Sequence, residues 1–218
     1  MNEKSNFLVL GATGTIGLAC AEKLKVRGTV VMGSKDLSEL AEQINSVPNF
    51  SGVVWAQGMN IADSAFNFDS DKYQCLMEAN VVFIMSSLSL LLKAGSLGHA
   101  SQLVVLSSIW SQASRPNKLS YGVSKAAVGG LIRSLAVDLG PMGIHINSVS
   151  PGPINSPMTS SLLNLEELER VVSESPLKRL VTLDEVASTV CELVTGKLSG
   201  VTGQEIVIDG GWSVSKLV

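Results

Sequence analysis

The stretch that decides the fold is Asn6–Gly28, "NFLVLGATGTIGLACAEKLKVRG". Phe7–Leu10 is an apolar run of strand length, and Gly14–Arg27 carries a helical amphipathic pattern that ends at Gly28. Between them Gly11, Gly14 and Gly17 recur every three residues. Such glycines let a chain turn tightly from strand to helix and bring backbone N–H groups at the helix start close to a pyrophosphate. The spacing differs from G-x-G-x-x-G, and a P-loop lysine is absent. On this stretch alone, a dinucleotide site and a plain tight turn both remain open.

Outward from it, apolar runs and helical patterns alternate. Strands are expected at Thr29–Gly33, Gly52–Ala56, Gln102–Ser108, Ile144–Val149 and in the terminal "EIVIDGG". Helices are expected at Leu37–Ile44, Asp71–Ala94, Tyr121–Leu139, Leu165–Glu174 and Asp184–Leu193. Continuous β-branched strands separated by helices predict a parallel sheet covered on both faces. With right-handed crossovers this is a doubly wound, Rossmann-like α/β fold of about six to seven strands. No repeat or linker interrupts it, so residues 1–218 are expected to form one domain.

Composition narrows the function. Of 218 residues, 45% are apolar and 16% charged, which suits a chain with elements buried on both faces. The net charge of −3 comes from 16 basic and 19 acidic residues with no basic block, which argues against nucleic acid or an anionic membrane as partner. The most apolar segment, Val81–Leu92, falls short of the ~20 residues of a membrane span, and the N-terminus does not read as a signal peptide. Cys20, Cys75 and Cys191 lack metal-ligand spacing and read as reduced core thiols of a cytoplasmic protein; His99 and His145 read as structural, so no metal is expected.

Chemistry enters with "SYGVSKAAVGG", Ser120–Gly130, where Tyr121 and Lys125 stand one helical turn apart. Ser108 ends the preceding strand, thirteen residues before Tyr121, on the rim where the strand ends and the following helix starts meet. A free tyrosine, with a pKa of about 10, is a poor proton donor and acceptor at neutral pH. A nearby ammonium favours the phenolate and should lower that value. Singly, each residue has an ordinary reading: an exposed i,i+4 pair, a strand-end hydroxyl, a helix-bending Asn80.

Taken in order, "GATGTIG", Asn80 in "EANVVF", Ser108 in "VVLSSIW", Tyr121 and Lys125 in "YGVSK", "NSVSPGPINSPM" and "TGQEIVIDGG" resemble the short-chain dehydrogenases/reductases in their compact single-domain branch. The resemblance implies that Tyr121 exchanges a proton with a carbonyl oxygen during hydride transfer, that Ser108 holds that oxygen, and that Lys125 also holds the nicotinamide ribose. It implies that Asn80 anchors a water leading from Lys125 to solvent. It places the cofactor on Gly11, Thr13, Gly14, Thr15, Ile16 and Gly17, on Ala56 and Gly58, on Tyr121 and Lys125, and on Pro151, Gly152, Ile154 and Ser156. A substrate loop is expected at about 157–174, with Leu162, Leu163 and Leu165 either facing substrate or packing as a plain amphipathic helix. Trp110 and Arg115 are candidate specificity residues.

Two departures from the family pattern stand out. Where an Asn-Asn-Ala-Gly turn is usual, this chain has Trp55, Ala56, Gln57 and Gly58, so the asparagine support of the central strand is absent. Only about twenty residues separate the second strand from that turn, which removes a helix and a strand and predicts six principal strands and a more open adenine pocket. Ser34 and Lys35 then sit where a 2′-phosphate would be met, with Asp36 and Leu37 as the adenine-contacting turn, and NADP(H) is favoured over NAD(H). The leading expectation is a carbonyl reductase or alcohol dehydrogenase for a small-molecule substrate, assembled as a homo-oligomer (tetramer or dimer). The alternatives are a nonenzymatic dinucleotide sensor or scaffold and an epimerase-like enzyme with the glycine spacing of the extended branch.

Overall fold

The computed structural model describes residues 5–155 and 165–215. Strand β1 (Ser5–Leu10) leads through the glycine turn into helix α1 (Thr15–Leu24), then β2 (Gly28–Gly33), α2 (Leu37–Asn45) and β3 (Phe50–Trp55). Helices α3 (Ser70–Met77) and α4 (Phe83–Lys93) run on through one π-helical turn, Glu78–Val82. There follow β4 (Leu97–Leu106), α5 (Leu119–Leu139), β5 (His145–Pro151), β6 (Ile154–Asn155), α6 (Leu165–Glu174), β7 (Val181–Thr182), α7 (Leu183–Val194) and β8 (Glu205–Ile208).

Six strands form one all-parallel sheet in the order β2-β1-β3-β4-β5-β8. The chain steps one way from β1 to β2 and the other way from β1 to β3. The winding therefore reverses between β1 and β3, where the carboxyl ends of open α/β sheets leave a crevice. Each central strand feeds two cores by alternation. Leu8, Leu10, Val53, Trp55, Leu103, Val105 and Ile146 point into one. Phe7, Val9, Val54, Val104, Leu106 and Val149 point into the other. Helices α2, α4 and α5 cover the first face, and α1 and α7 the second.

The shortened segment after β2 leaves that strand at the sheet edge, joined to β3 by α2 alone. Asp36 starts α2 by accepting from the N–H groups of Ser38 and Glu39, and Asp69 starts α3 in the same way. A Thr182–Glu185 capping box starts α7, and Arg179 grips the Glu185 carboxylate at 2.7 Å.

Several expectations need correction. Helix α1 stops at Leu24 and β2 already begins at Gly28. The long helix carries the π turn, and the two-residue parallel pair β6–β7 has no periodic signal in the sequence. Cys20 and Cys191 are buried as expected, whereas Cys75 is exposed on α3 and is no core thiol. The joined helix Ser70–Lys93 has the expected length, but although Val81–Leu92 alone is short of a span, the whole helix is by length and composition enough to cross a bilayer. Its Val81, Ile84, Leu88 and Leu91 are nevertheless buried in the protein core.

Candidate active site

The rim is assembled from the turns that follow β1, β3, β4 and β5. Gly11 adopts φ +76°, and a Cβ there would lie 2.4 Å from the Gln57 nitrogen; one on Gly17 would lie 2.2 Å from the Gly11 oxygen. Gly11 lets the ends of β1 and β3 close on each other without a side chain between them, and Gly17 lets α1 pack against the β1 turn. Gly14 occupies the N-cap of α1 with no side-chain cap, and no acid stands in the first turn. The first N–H groups of the helix are thus left to an anion, with Thr13 and Thr15 exposed and Ile16 half-buried beside them. This cradle fits the pyrophosphate of a dinucleotide.

Beyond β2, Ser34 donates to Glu39 at 2.8 Å and accepts from the Asp36 N–H at 3.0 Å. Asp36 is used as the α2 cap, Leu37 is the first residue of that helix, and Lys35 is exposed without an ion pair among the described residues. Pro151 ends β5, the Gly152 N–H donates to Ile208, and Ile154 pairs with Val181. Ser156, Leu162 and Leu163 lie outside the described residues, as does the first part of the expected substrate loop, 157–164; its second part, the helix Leu165–Glu174, lies within them.

Tyr121, Lys125, Ser108 and Asn80 converge beneath this rim. Lys125 is 4% exposed, and its Nζ donates to the Leu106 carbonyl at 3.0 Å. Burial pulls the ammonium down to about 8. Its Nζ stands 5.7 Å from the centre of the Tyr121 ring. Burial raises the Tyr121 phenol, and hydrogen bonding with Ser108 opposes that rise. The Tyr–Lys spacing points toward a lowered value; the rise comes from burial, which spacing does not register. Ser108 is itself buried and stands at the start of a short 3₁₀ turn, Ile109–Ser111.

Asn80 lies in the π turn and is 1% exposed. Its Oδ1 accepts from the Met59 N–H at 2.7 Å, and its Nδ2 donates to the Met59 carbonyl and to Ser124 Oγ, both at 2.9 Å. The amide thus ties the loop after β3 to α5, and Oδ1 keeps a second acceptor site. A Cβ on Gly58 would stand 3.3 Å from Asn80 Oδ1 and 3.7 Å from Lys125 Nζ, so Gly58 brings this loop against both.

Three supports escape sequence reasoning. Asp63 accepts from the N–H and the hydroxyl of Ser120 and so fixes the start of α5 one residue before Tyr121. Glu205 on β8 gathers the hydroxyls of Ser111 and Ser150 and the amide of Gln112, bracing the turn that follows Ser108. Lys118 places its ammonium 5.2 Å over the Tyr121 ring. The first two partners lie 57 and more than 50 residues away, beyond any local signal. Lys118, three residues before Tyr121, was within reach of a charge reading. A cavity of about 510 Å³ opens beside Tyr121 and Ser108 and is also lined by Trp110, Arg115, Lys118 and Arg170.

Comparison with known proteins finds relatives of the whole chain. Residues 31–213 match the family model described as enoyl-(acyl carrier protein) reductase. A tropinone reductase homolog of Arabidopsis thaliana is 32% identical over 90% of this chain and 78% of its own length. A short-chain dehydrogenase family protein of Francisella tularensis superposes with a TM-score of 0.87 at 24% identity, covering 98% of this chain and all of that one. A gluconate 5-dehydrogenase of Burkholderia cenocepacia, solved with NADP and tartrate, gives 0.86 at 19% identity over 98% and 97% of the two chains. The chain belongs to the short-chain dehydrogenase/reductase family and is an NAD(P)-dependent oxidoreductase of that family.

The buried ammonium has a measurable consequence. Because the folded-state pKa of Lys125 is lowered from 10.5 to about 8, the unfolded chain binds this proton more tightly. The cost of burying the charge is full below about pH 8 and fades as pH rises toward 10.5. Lys125→Met should therefore be more stable than the parent at pH 7 by about 2 kcal/mol, the relieved desolvation less one lost hydrogen bond. That advantage should shrink above pH 8. Urea unfolding of both proteins without cofactor at a series of pH values checks this, and equal stability at pH 7 would refute it.

Proposed function

We propose that this chain is an NADP(H)-dependent carbonyl reductase or alcohol dehydrogenase acting on a small or medium keto or hydroxy compound, with Tyr121 as general acid and base. The observation that carries the reading is Tyr121 set between Ser108 and the buried Lys125, at the rim where the glycine turn and Gly58 leave room for a dinucleotide. The bound nicotinamide supplies or accepts the hydride.

The protein's own groups do the rest. Ser108 Oγ holds the substrate carbonyl oxygen, and Tyr121 Oη donates its proton to that oxygen as negative charge develops on it. A phenol whose acidity burial has reduced is in the protonated form that reduction requires. Lys125, with two N–H donors beyond its bond to Leu106, holds ribose hydroxyls and stabilises the phenolate left behind. Asn80 acts by fixing Gly58 and Met59 beside Lys125. Buried unbridged thiols at Cys20 and Cys191 suit a reducing, cytoplasmic setting.

The preference for NADP(H) rests on Lys35, exposed and without an ion pair among the described residues, while capping of α2 occupies Asp36. The NADP bound in the gluconate 5-dehydrogenase structure supports it. Glu39, bound to Ser34, favours NAD(H) instead. Homo-oligomer formation is supported by Val82, Met85, Val123 and Val137, exposed at 40%, 53%, 44% and 75% on the adjoining helical segments Ser70–Lys93 and α5.

Three outcomes are expected. Tyr121→Phe should lower carbonyl-dependent NADPH oxidation, followed at 340 nm, by at least about a thousandfold while NADPH still binds. Retained turnover would remove Tyr121 from the chemistry, and cofactor binding without turnover of any carbonyl by the parent would favour a sensor. Lys35→Ala should weaken NADPH about tenfold more than NADH, by loss of a charge-assisted phosphate contact, and an equal loss for both would reject that contact. Sedimentation at micromolar concentration should show a dimer or tetramer; a monomer would count against the α4/α5 face as an interface.

A further inference from the structure

We propose that the substrate is an anion whose carboxylate or phosphate is held by Arg115 and Lys118 while its carbonyl meets Tyr121 and Ser108. The inference rests on the carbonyl-reductase reading above and adds the chemical class of the substrate.

Unpaired cations are common on protein surfaces. What marks these two is that they share one cavity with Tyr121 and Ser108. Lys118 is half-buried, and its one hydrogen-bond partner among the described residues is neutral, Asn60 Oδ1 at 2.7 Å. Two of its three protons are left for a ligand. Asp63 is the acid whose field reaches Lys118, but its carboxylate is taken by the N–H and hydroxyl of Ser120.

Arg115 is held over the Trp110 ring at 5.5 Å and makes no ion pair among the described residues. Stacking on an aromatic face restricts the guanidinium while leaving its in-plane N–H fork available for a bidentate oxyanion. Partial burial and the Arg115 charge together lower the Lys118 ammonium. Two like charges pushed together beside a pocket are a local cost, which an anion between them would relieve.

The facing wall does not compete for that anion. There Arg170 is paired with Glu174 at 2.8 Å, and Glu174 also accepts from Trp212 Nε1. Glu167 adds a second acid on the same helix. An anion in the cavity is therefore drawn to Arg115 and Lys118 rather than to Arg170, whose charge is already paired.

The test is steady-state kinetics with NADPH on matched pairs: keto carboxylates against their methyl esters, and phosphorylated ketones against the free hydroxy-ketones. The parent should prefer the charged member of at least one series by tenfold or more in kcat/KM; which series shows it separates carboxylate from phosphate. In Arg115→Gln/Lys118→Gln that preference should fall at least tenfold, mainly through KM. The ratio within a pair cancels any effect of Lys118 on Tyr121 itself, and NADPH fluorescence reports that the variant remains folded. A preference for the neutral members, or one unchanged in the double variant, would overturn the anion site. No turnover of either member of any pair while NADPH binds would overturn the carbonyl-reductase reading, and this inference with it.

Discussion

The site depends on a buried ammonium with one acceptor among the described residues. Lys125 reaches from α5 to the last carbonyl of β4, Leu106, and two residues later the same strand end supplies Ser108. One strand terminus thus sets both the lysine and the hydroxyl that faces the tyrosine. Side chains alternate along a strand, so a one-residue slip of β4 would exchange its two core faces and move Ser108 away from Tyr121. The register is held by pairing with β3 on one side and β5 on the other. The other end of the Lys125 arm is held by Asp63, which fixes the first turn of α5. Burying a charge this way costs stability, and a packed sheet with two covered faces is what tolerates it.

The departures from the family pattern have physical replacements. Trp55 stands where the family places an asparagine to support the central strand, and it is fully buried. Its Nε1–H donates to Ser87 Oγ at 2.8 Å, and Ser87 donates in turn to the Phe83 carbonyl one turn back in α4. The end of β3 is therefore tied to a helix on the neighbouring layer. That same helical segment carries Asn80, so the tryptophan and the asparagine clamp both sides of the β3 turn to one element. The shortened segment before β3 leaves β2 as an edge, and α2 then supplies both the cap at Asp36 and the neighbour, Glu39, of any group bound at Ser34.

How much of this was legible follows from the range of each interaction. The order of strands and helices was readable because alternation in the strands and 3.6-residue periodicity in the helices are local properties. The six-strand count followed from the short spacing between Gly33 and Gly52. Tyr121, Lys125 and Ser108 were readable because they fall near one another in sequence and on one rim. Asp63, Glu205 and the Trp55–Ser87 bond were not, because each joins residues dozens of positions apart. Cys75 misled because its segment has a helical pattern whose buried face is carried by Leu76. The acidity of Tyr121 misled for another reason: spacing shows a nearby charge, but it does not show desolvation.

That desolvation bears on the proposed proton transfer. Two ammonium groups flank the Tyr121 ring, at 5.2 Å for Lys118 and 5.7 Å for Lys125, yet burial still pushes the phenol upward. A phenol kept protonated is ready to give its proton, and the flanking cations then stabilise the phenolate that remains. For oxidation the same group would have to start as the phenolate, against its own desolvation. Lys125 adds to the asymmetry, because above about pH 8 it begins to lose the charge that would favour that phenolate. On the proposed reading, Tyr121 therefore starts as the protonated donor.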